Sequence, residues 1–323
     1  MFSNFKRLSF RHKNNKLWYY FHNYLRRYYP LAIFRAKLKS KLEEIKHFDS
    51  EYIYKRVNYY NRLDNPQILS SNSKSLSELK LGKKDKTYYF DSFEFIRYFN
   101  QKLKARFLFG DVTHIPDEPS IVKSRPINGE ISNSVLLNLD KVRHFLFVKD
   151  KIPFINKKDM LVGRAKAHQP HRIRFLELYF NHPLCNIGQV NRNANLQFLA
   201  NRMTISEHLK YKFILCLEGN DVASNLKWVM SSNSLAVMPK PVYETWFMEG
   251  TLIPDYHYVL IKDDYSDLEE RLKYYIKNTD KALQIIENAH IYVNQFKNKK
   301  QEELIPLLVL QKYFVKTGQN INL

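Results

Sequence analysis

The spacing of apolar residues changes character about a third of the way along the chain. Leu31, Phe34, Leu38, Leu42 and Ile45 recur at helical spacing, with Lys37, Lys39 and Lys41 elsewhere on the turn. That pattern predicts an amphipathic helix after Pro30, which ends or offsets an earlier helical stretch. Asn65–Lys86 is rich in Ser, Asn and Lys and reads as a loop, and Phe93–Lys104 again has helical spacing. From about residue 105 short apolar runs alternate with helical patterns. Strands are predicted at Arg106–Phe109, Lys157–Val162, Lys212–Leu217, Ser234–Met238 and Tyr256–Ile261. Ser134–Val148 alternates apolar and charged residues. Helices are predicted at Arg172–Phe180, Ala223–Met230, Tyr243–Glu249, Asp267–Asn278 and Ala282–Asn298. Such alternation means an α/β architecture with a mainly parallel sheet.

In open α/β sheets ligands bind beyond the carboxyl ends of the strands. Three predicted ends carry polar residues: Gly110-Asp111, Gly163-Arg164 and Glu218–Ser224. A site assembled from all three is the working expectation. In Glu218–Lys227 a strand enters a Gly turn, small and polar residues open a helix, and Lys227 lies within it. Free backbone N–H groups, a Ser hydroxyl and an ammonium make an anion site suited to a diphosphate. The same residues also suit an ordinary strand-turn-helix. No GxxxxGK[ST] loop is present.

Charge adds a partner class. The 323 residues carry 52 Lys and Arg against 32 Asp and Glu, a net +20 that implies a polyanionic partner. Residues 1–41 hold 11 cations, 11 aromatics and no acid, the first acid being Glu43. Trp18, Tyr19, Tyr20, Phe21, Tyr28 and Tyr29 among lysines and arginines suit an anionic membrane surface. They also suit single-stranded nucleic acid, or a solvated helical extension. Cys185 and Cys216 form no disulfide framework, so a reducing compartment fits. No signal peptide and no run of 18 apolar residues is present. The expected location is cytoplasmic, peripheral at a membrane. The eleven histidines include no HExxH, there is no GxSxG, and Asp263-Asp264 before Ser266 reads as a turn, so neither a metal nor a catalytic triad is expected.

The run KYKFILCLEGNDVASNLKW, followed by SSNSLAVMPKPVYETWF and YHYVLI, resembles the signature region of family-90 glycosyltransferases. The matching residues are Lys210-Tyr211-Lys212, Gly219, Ala223-Ser224, Lys227-Trp228, Ser234, Glu244-Thr245-Trp246 and His257-Tyr258. The likeness extends over about 105–315 and is nearest to the lipopolysaccharide-modifying bacterial branch. It implies a GT-B-like fold, two Rossmann-like domains facing a cleft. The corresponding segments are a helical basic extension at 1–85, an acceptor-side domain at 86–200 and a nucleotide-sugar domain at 201–323.

It also implies inverting transfer from a UDP-sugar without cofactor or metal. The diphosphate then falls to Gly163, Arg164, Arg172, Gly219, Asn220, Ala223, Ser224 and Lys227. Asn225 stands where many relatives have Arg, and the glycine of Gly163-Arg164 lacks the Arg that precedes it in the family. Asp111 corresponds to the catalytic base, although Val112-Thr113 replaces the usual aromatic-Pro pair; Asp117 and Glu118 are in reserve. Glu244 and Lys212 fall on the ribose or nucleoside side, and Lys123 and Arg125 on the acceptor side. The implied acceptor is a lipopolysaccharide or lipooligosaccharide core at the inner membrane, with residues 1–41 on the anionic surface. A protein Ser/Thr or capsular acceptor is the near alternative, and a basic nucleic-acid-binding protein the alternative from another class.

Overall fold

The computed structural model describes residues 12, 14–70, 73–192 and 195–321; residues 1–11 and 13 of the basic arm lie outside them. The chain forms two compact units and passes between them more than once. One takes 143–241 and 251–295; the other takes 15–142, 242–250 and the stretch from Phe296 onward. The segment 201–323 is therefore divided between both units.

The 15–142 stretch opens with helices α1 (Lys16–Arg26), α2 (Leu31–Glu43) and α3 (Ser50–Tyr60). Asn15 caps α1 by accepting from the Trp18 amide, and Asp49 caps α3 by accepting from the Tyr52 amide. The expected stripe on α2 is realised through Leu38 and Leu42, which are buried, whereas Ile33 faces outward. Strand β1 (Lys74–Ser75) interrupts the long polar loop, helix α4 spans Lys86–Ile96, and β2 (Lys104–Ala105) pairs antiparallel with β1. Strands β3 (Phe107–Leu108), β4 (Ser120–Val122) and β6 (Ser134–Leu136) form a parallel three-stranded sheet. Strand β5 (Ser124–Pro126) follows β4 directly.

The next stretch builds the larger sheet from β7 (Lys158–Ala165), β8 (Cys185–Gln189), β9 (Tyr211–Leu215) and β10 (Leu235–Met238). Helix α5 (Pro170–Tyr179) joins β7 to β8, and the short α6 (Leu226–Met230) precedes β10. Where a helix was expected over Tyr243–Glu249 the chain forms a strand, β11 (Tyr243–Thr245), and then a turn through Met248 at φ 55°. Helical spacing lost here because β5, remote in sequence, supplies an antiparallel partner in the register Glu244↔Arg125.

Strand β12 (Val259–Leu260) completes the large sheet, and helices α7 (Leu268–Lys277) and α8 (Thr279–Asn294) follow. The spatial order is β8-β7-β9-β10-β12, all parallel. Phe213, Val237 and Val259 from the sheet share one core with Phe175 of α5, Leu272 of α7 and Ile285 of α8. The chain ends in α9 (Lys299–Lys316), which packs against α2, α3 and α4 and buries Leu304, Ile305, Leu308, Val309 and Phe314. Among the described residues no helix is long and apolar enough to cross a membrane.

Candidate active site

After β7 the chain moves to β8 on one side and then crosses to β9 on the other. The carboxyl ends of β7 and β9 therefore flank a topological switch point, where connecting segments depart in opposite directions and leave a crevice. Arg172, in the first turn of α5, ties the two ends together. Its Nε donates to the Glu218 carbonyl at 2.7 Å, Nη2 to Leu217 at 2.8 Å and Nη1 to Lys166 at 2.9 Å. Three of the five guanidinium N–H donors are thereby assigned to backbone. Burial pulls Arg172 below its ordinary value, with Glu218 opposing.

Gly219 lets the guanidinium approach: a Cβ there would stand 3.4 Å from Arg172 Nη2. Beside it His171 Nε2 lies 2.9 Å from the Glu218 carbonyl, and Gln169 Nε2 donates to Asn220 Oδ1 at 2.8 Å. The Gln169 Oε1 atom is buried with no hydrogen-bonding partner among the described residues, an acceptor the fold leaves unused. Asn225 donates its amide to the Leu215 carbonyl at 2.9 Å, closing the segment back onto β9. Within that segment Ser224 is exposed, Ala223 is buried, and Lys227 is fully buried with its ammonium 5.9 Å from the Phe145 ring.

Not every expected donor residue joins this cluster. Gly163 and Arg164 lie within β7, not past its end. Gly163 is a packing position, since a Cβ there would meet Leu215 Cβ at 3.1 Å. Arg164 turns to the β8 side, donating to the Asn186 carbonyl at 2.7 Å, the Asn186 side chain at 2.7 Å and the Asn201 carbonyl at 2.9 Å. Lys212 sits at the amino end of β9, paired with Asp159 at 2.5 Å, at the opposite end of the sheet from the crevice. Asp264 caps its own turn, accepting from Ser266 N at 3.0 Å and Oγ at 2.8 Å.

The other unit holds Asp111 three residues beyond β3, after Gly110 at φ 110°. Its carboxylate is partly exposed and meets the buried Lys123 ammonium at 2.5 Å. Lys123 lies between β4 and β5, so the neighbouring parallel strands β3 and β4 bring base candidate and ammonium together. The reserve carboxylate Glu118 is held by Arg106 at 2.8 Å and by the Ser70 amide at 2.7 Å, and Asp117 is exposed.

Arg125 and Glu244, expected on different substrates, are paired with each other. Arg125 Nε and Nη2 both reach Glu244 Oε1 at 2.8 Å, and both side chains are essentially inaccessible. Arg125 also donates to the Ser134 and Tyr59 carbonyls at 2.8 and 2.7 Å, while Tyr59 Oη donates to Glu244 Oε2.

The residues from 161 to 313 match the family model for Glycosyl transferase family 90. The chain is 43% identical over 289 residues to O-glucosyltransferase LpsA of Dichelobacter nodosus, covering 88% of this chain and 91% of that protein. It belongs to glycosyltransferase family 90. The chain is a glycosyltransferase, as its signature region implied. It is also 30% identical over 167 residues to Protein O-glucosyltransferase 3 of Homo sapiens, covering 50% of this chain and 32% of that protein.

Within this family-90 chain, the signature run maps onto β9, the Arg172-bridged turn, α6 and β10, all in one unit. Its YETWF portion belongs to the other unit. Sequence reasoning passed over Gln169, Asn186 and Tyr59. Gln169 had a signal, since it precedes Pro170 and so stands at the N-cap of α5. Tyr59 had none: its partner Glu244 is 185 residues away.

Proposed function

We propose that the chain moves a sugar from a UDP-sugar to a hydroxyl of a lipopolysaccharide or lipooligosaccharide core, with inversion and without a metal. The observation that carries this is the β7–β9 switch point, where Arg172 joins both strand ends beside Gly219, with Asn220 held by Gln169. Among the described residues Arg172 leaves two N–H donors for an incoming anion, and the exposed Ser224 hydroxyl, further along the same segment, is a further group for a diphosphate. Fixed donors at the leaving group compensate charge as it develops, which is the task a metal would otherwise perform. A parallel sheet in each of two units supports the GT-B type of architecture.

In this mechanism Asp111 accepts the proton of the acceptor hydroxyl while that oxygen attacks the anomeric carbon. The bond to the UDP oxygen breaks on the opposite face, and configuration inverts. Lys123 holds the Asp111 carboxylate in place. Both relatives are named O-glucosyltransferases, which makes glucose the first sugar to test. The basic aromatic N-terminal segment would keep the enzyme at the cytoplasmic face of the inner membrane, where an anionic acceptor is displayed. A protein Ser/Thr acceptor is the second reading, favoured by the partial likeness to Protein O-glucosyltransferase 3.

Thermal-shift measurements with UDP, UDP-glucose, UDP-galactose and UDP-xylose test the donor. Stabilisation by UDP and by one of the sugars is expected, about 2.7 kcal/mol at a hundredfold excess over Kd. No response to any of the four would remove the proposal. Asp111→Asn should lower transfer by ~10²-fold or more while UDP stabilisation persists. Transfer to lipooligosaccharide, set against a peptide acceptor, decides between the two acceptors.

A further inference from the structure

Helix α1 turns a second apolar stripe away from the protein. Leu17, Trp18, Phe21 and Leu25 are 77%, 63%, 55% and 45% exposed, and their spacing places them on one stripe. The Trp18 and Phe21 rings lie together on it, 5.8 Å apart. The stripe continues past the helix into Tyr28 and Tyr29, both exposed. The side that meets the protein combines rings with polar anchors: Tyr19, Tyr20 and Tyr24 set their rings edge-on against Phe90 of α4. Tyr19 Oη donates to Asp91 at 2.8 Å, Asn23 is buried and accepts from Arg26 at 2.8 Å, and Arg26 pairs with Glu94 at 3.2 Å.

A surface helix ordinarily turns its apolar stripe to the core. Here ring packing on Phe90 and the polar bonds to Asp91 and Glu94 of α4 hold the stripe outward, away from the described core of this chain. The surrounding charge identifies the kind of surface. Lys16 on α1, Arg27 just past it, and Arg35, Lys37 and Lys39 on α2 are all exposed, and no acidic residue occurs before Glu43. A second copy would oppose the same cations across a symmetric contact. Single-stranded nucleic acid would stack on rings but would leave Leu17 and Leu25 uncovered. A bilayer with anionic headgroups takes both parts, aliphatic and aromatic side chains below the headgroups and cations at the phosphates.

We propose that the outward stripe of α1, Leu17, Trp18, Phe21 and Leu25, inserts into the headgroup region of an anionic bilayer, with Asp91 and Glu94 holding the helix in that orientation. This deepens the membrane part of the proposed function and stands independently of the chemistry. Three tryptophans are present, and Trp228 and Trp246 are buried, so an emission change on binding reports Trp18.

The full chain is mixed with vesicles of phosphatidylethanolamine containing phosphatidylglycerol, and with phosphatidylcholine alone. Co-sedimentation and a blue-shifted emission are expected with the anionic vesicles only. Trp18→Phe should keep the sedimentation and lose the shift. The pair Phe21→Glu and Leu25→Glu should weaken binding by ~10-fold or more and leave the melting temperature and UDP stabilisation unchanged, because both positions are exposed. The proposal fails if the double variant binds vesicles as well as the wild type, or if Trp18 emission does not move. It fails also if light scattering shows a dimer that the double variant dissolves, or if single-stranded DNA gives the same shift and displaces the vesicles. Loss of UDP stabilisation in the wild type would count against the donor chemistry and leave this inference standing.

Discussion

Asp91 lies wholly out of water beneath α1, accepting from Tyr19 and from the Lys141 amide at 2.9 Å. Burial pushes its carboxyl up to about 7, against the attraction of the Lys141 ammonium. A folded value above the unfolded one means its contribution is complete below the ordinary carboxylate range and is lost as pH rises through about 7. A tenfold change in proton affinity is worth about 1.4 kcal/mol, which is a few degrees of melting temperature. Melts between pH 5 and 8 should therefore show the wild type losing stability and Asp91→Asn losing less. Arg172 yields a second expectation. Lysine keeps the charge but cannot join Glu218, Leu217 and Lys166 with one planar fork. Arg172→Lys should weaken UDP binding by ~10-fold or more, as for loss of charge-assisted hydrogen bonds, with calorimetric titration as the measurement.

Between elements, the 242–250 excursion is held by groups that no local pattern announces. Trp246 stacks on Tyr60 of α3 at 3.7 Å, and its Nε1 donates to Glu302 of α9 at 2.7 Å. Glu302 also holds the buried Arg56 of α3 at 2.5 Å. Glu302→Ala leaves a guanidinium buried without its carboxylate, and a loss of about 3–5 kcal/mol is expected in denaturant titration. A conservative Glu302→Gln should cost less, since Gln retains a carbonyl acceptor. Strands β9 and β10 were legible because they are largely apolar runs of strand length, buried on both faces, and β7 through its short apolar centre Met160–Val162. Helix α9 was not: Pro306 sits inside it and argues against a helix, yet burial of Leu304, Ile305, Leu307 and Leu308 overrides the cost. Helix α3 also escaped, because its charged residue Arg56 is buried and blurs the stripe.

For the molecule as a whole the net charge of +20 sets an ionic-strength dependence. Exposed cations are screened within about 8 Å at physiological salt, so vesicle binding should fall as salt rises, while UDP binding in the partly buried crevice falls less. Parallel titrations at low and high salt check the contrast. The periodicities and the signature run, carried by residues close in sequence, determined the α/β class, the family and the basic aromatic character of the amino-terminal segment. Local spacing encodes these because a strand's or helix's repeat is complete within a few residues. Pairings between distant residues are different in kind. The order β8-β7-β9-β10-β12 made a crevice of two strand ends and set Lys212 at the far end of its strand. Glu244 was committed to Arg125, 119 residues away, by antiparallel register and the cost of burying either charge alone. Which face of α1 turns outward was decided the same way, by Phe90, Asp91 and Glu94 on α4, whose positions only the folded chain supplies.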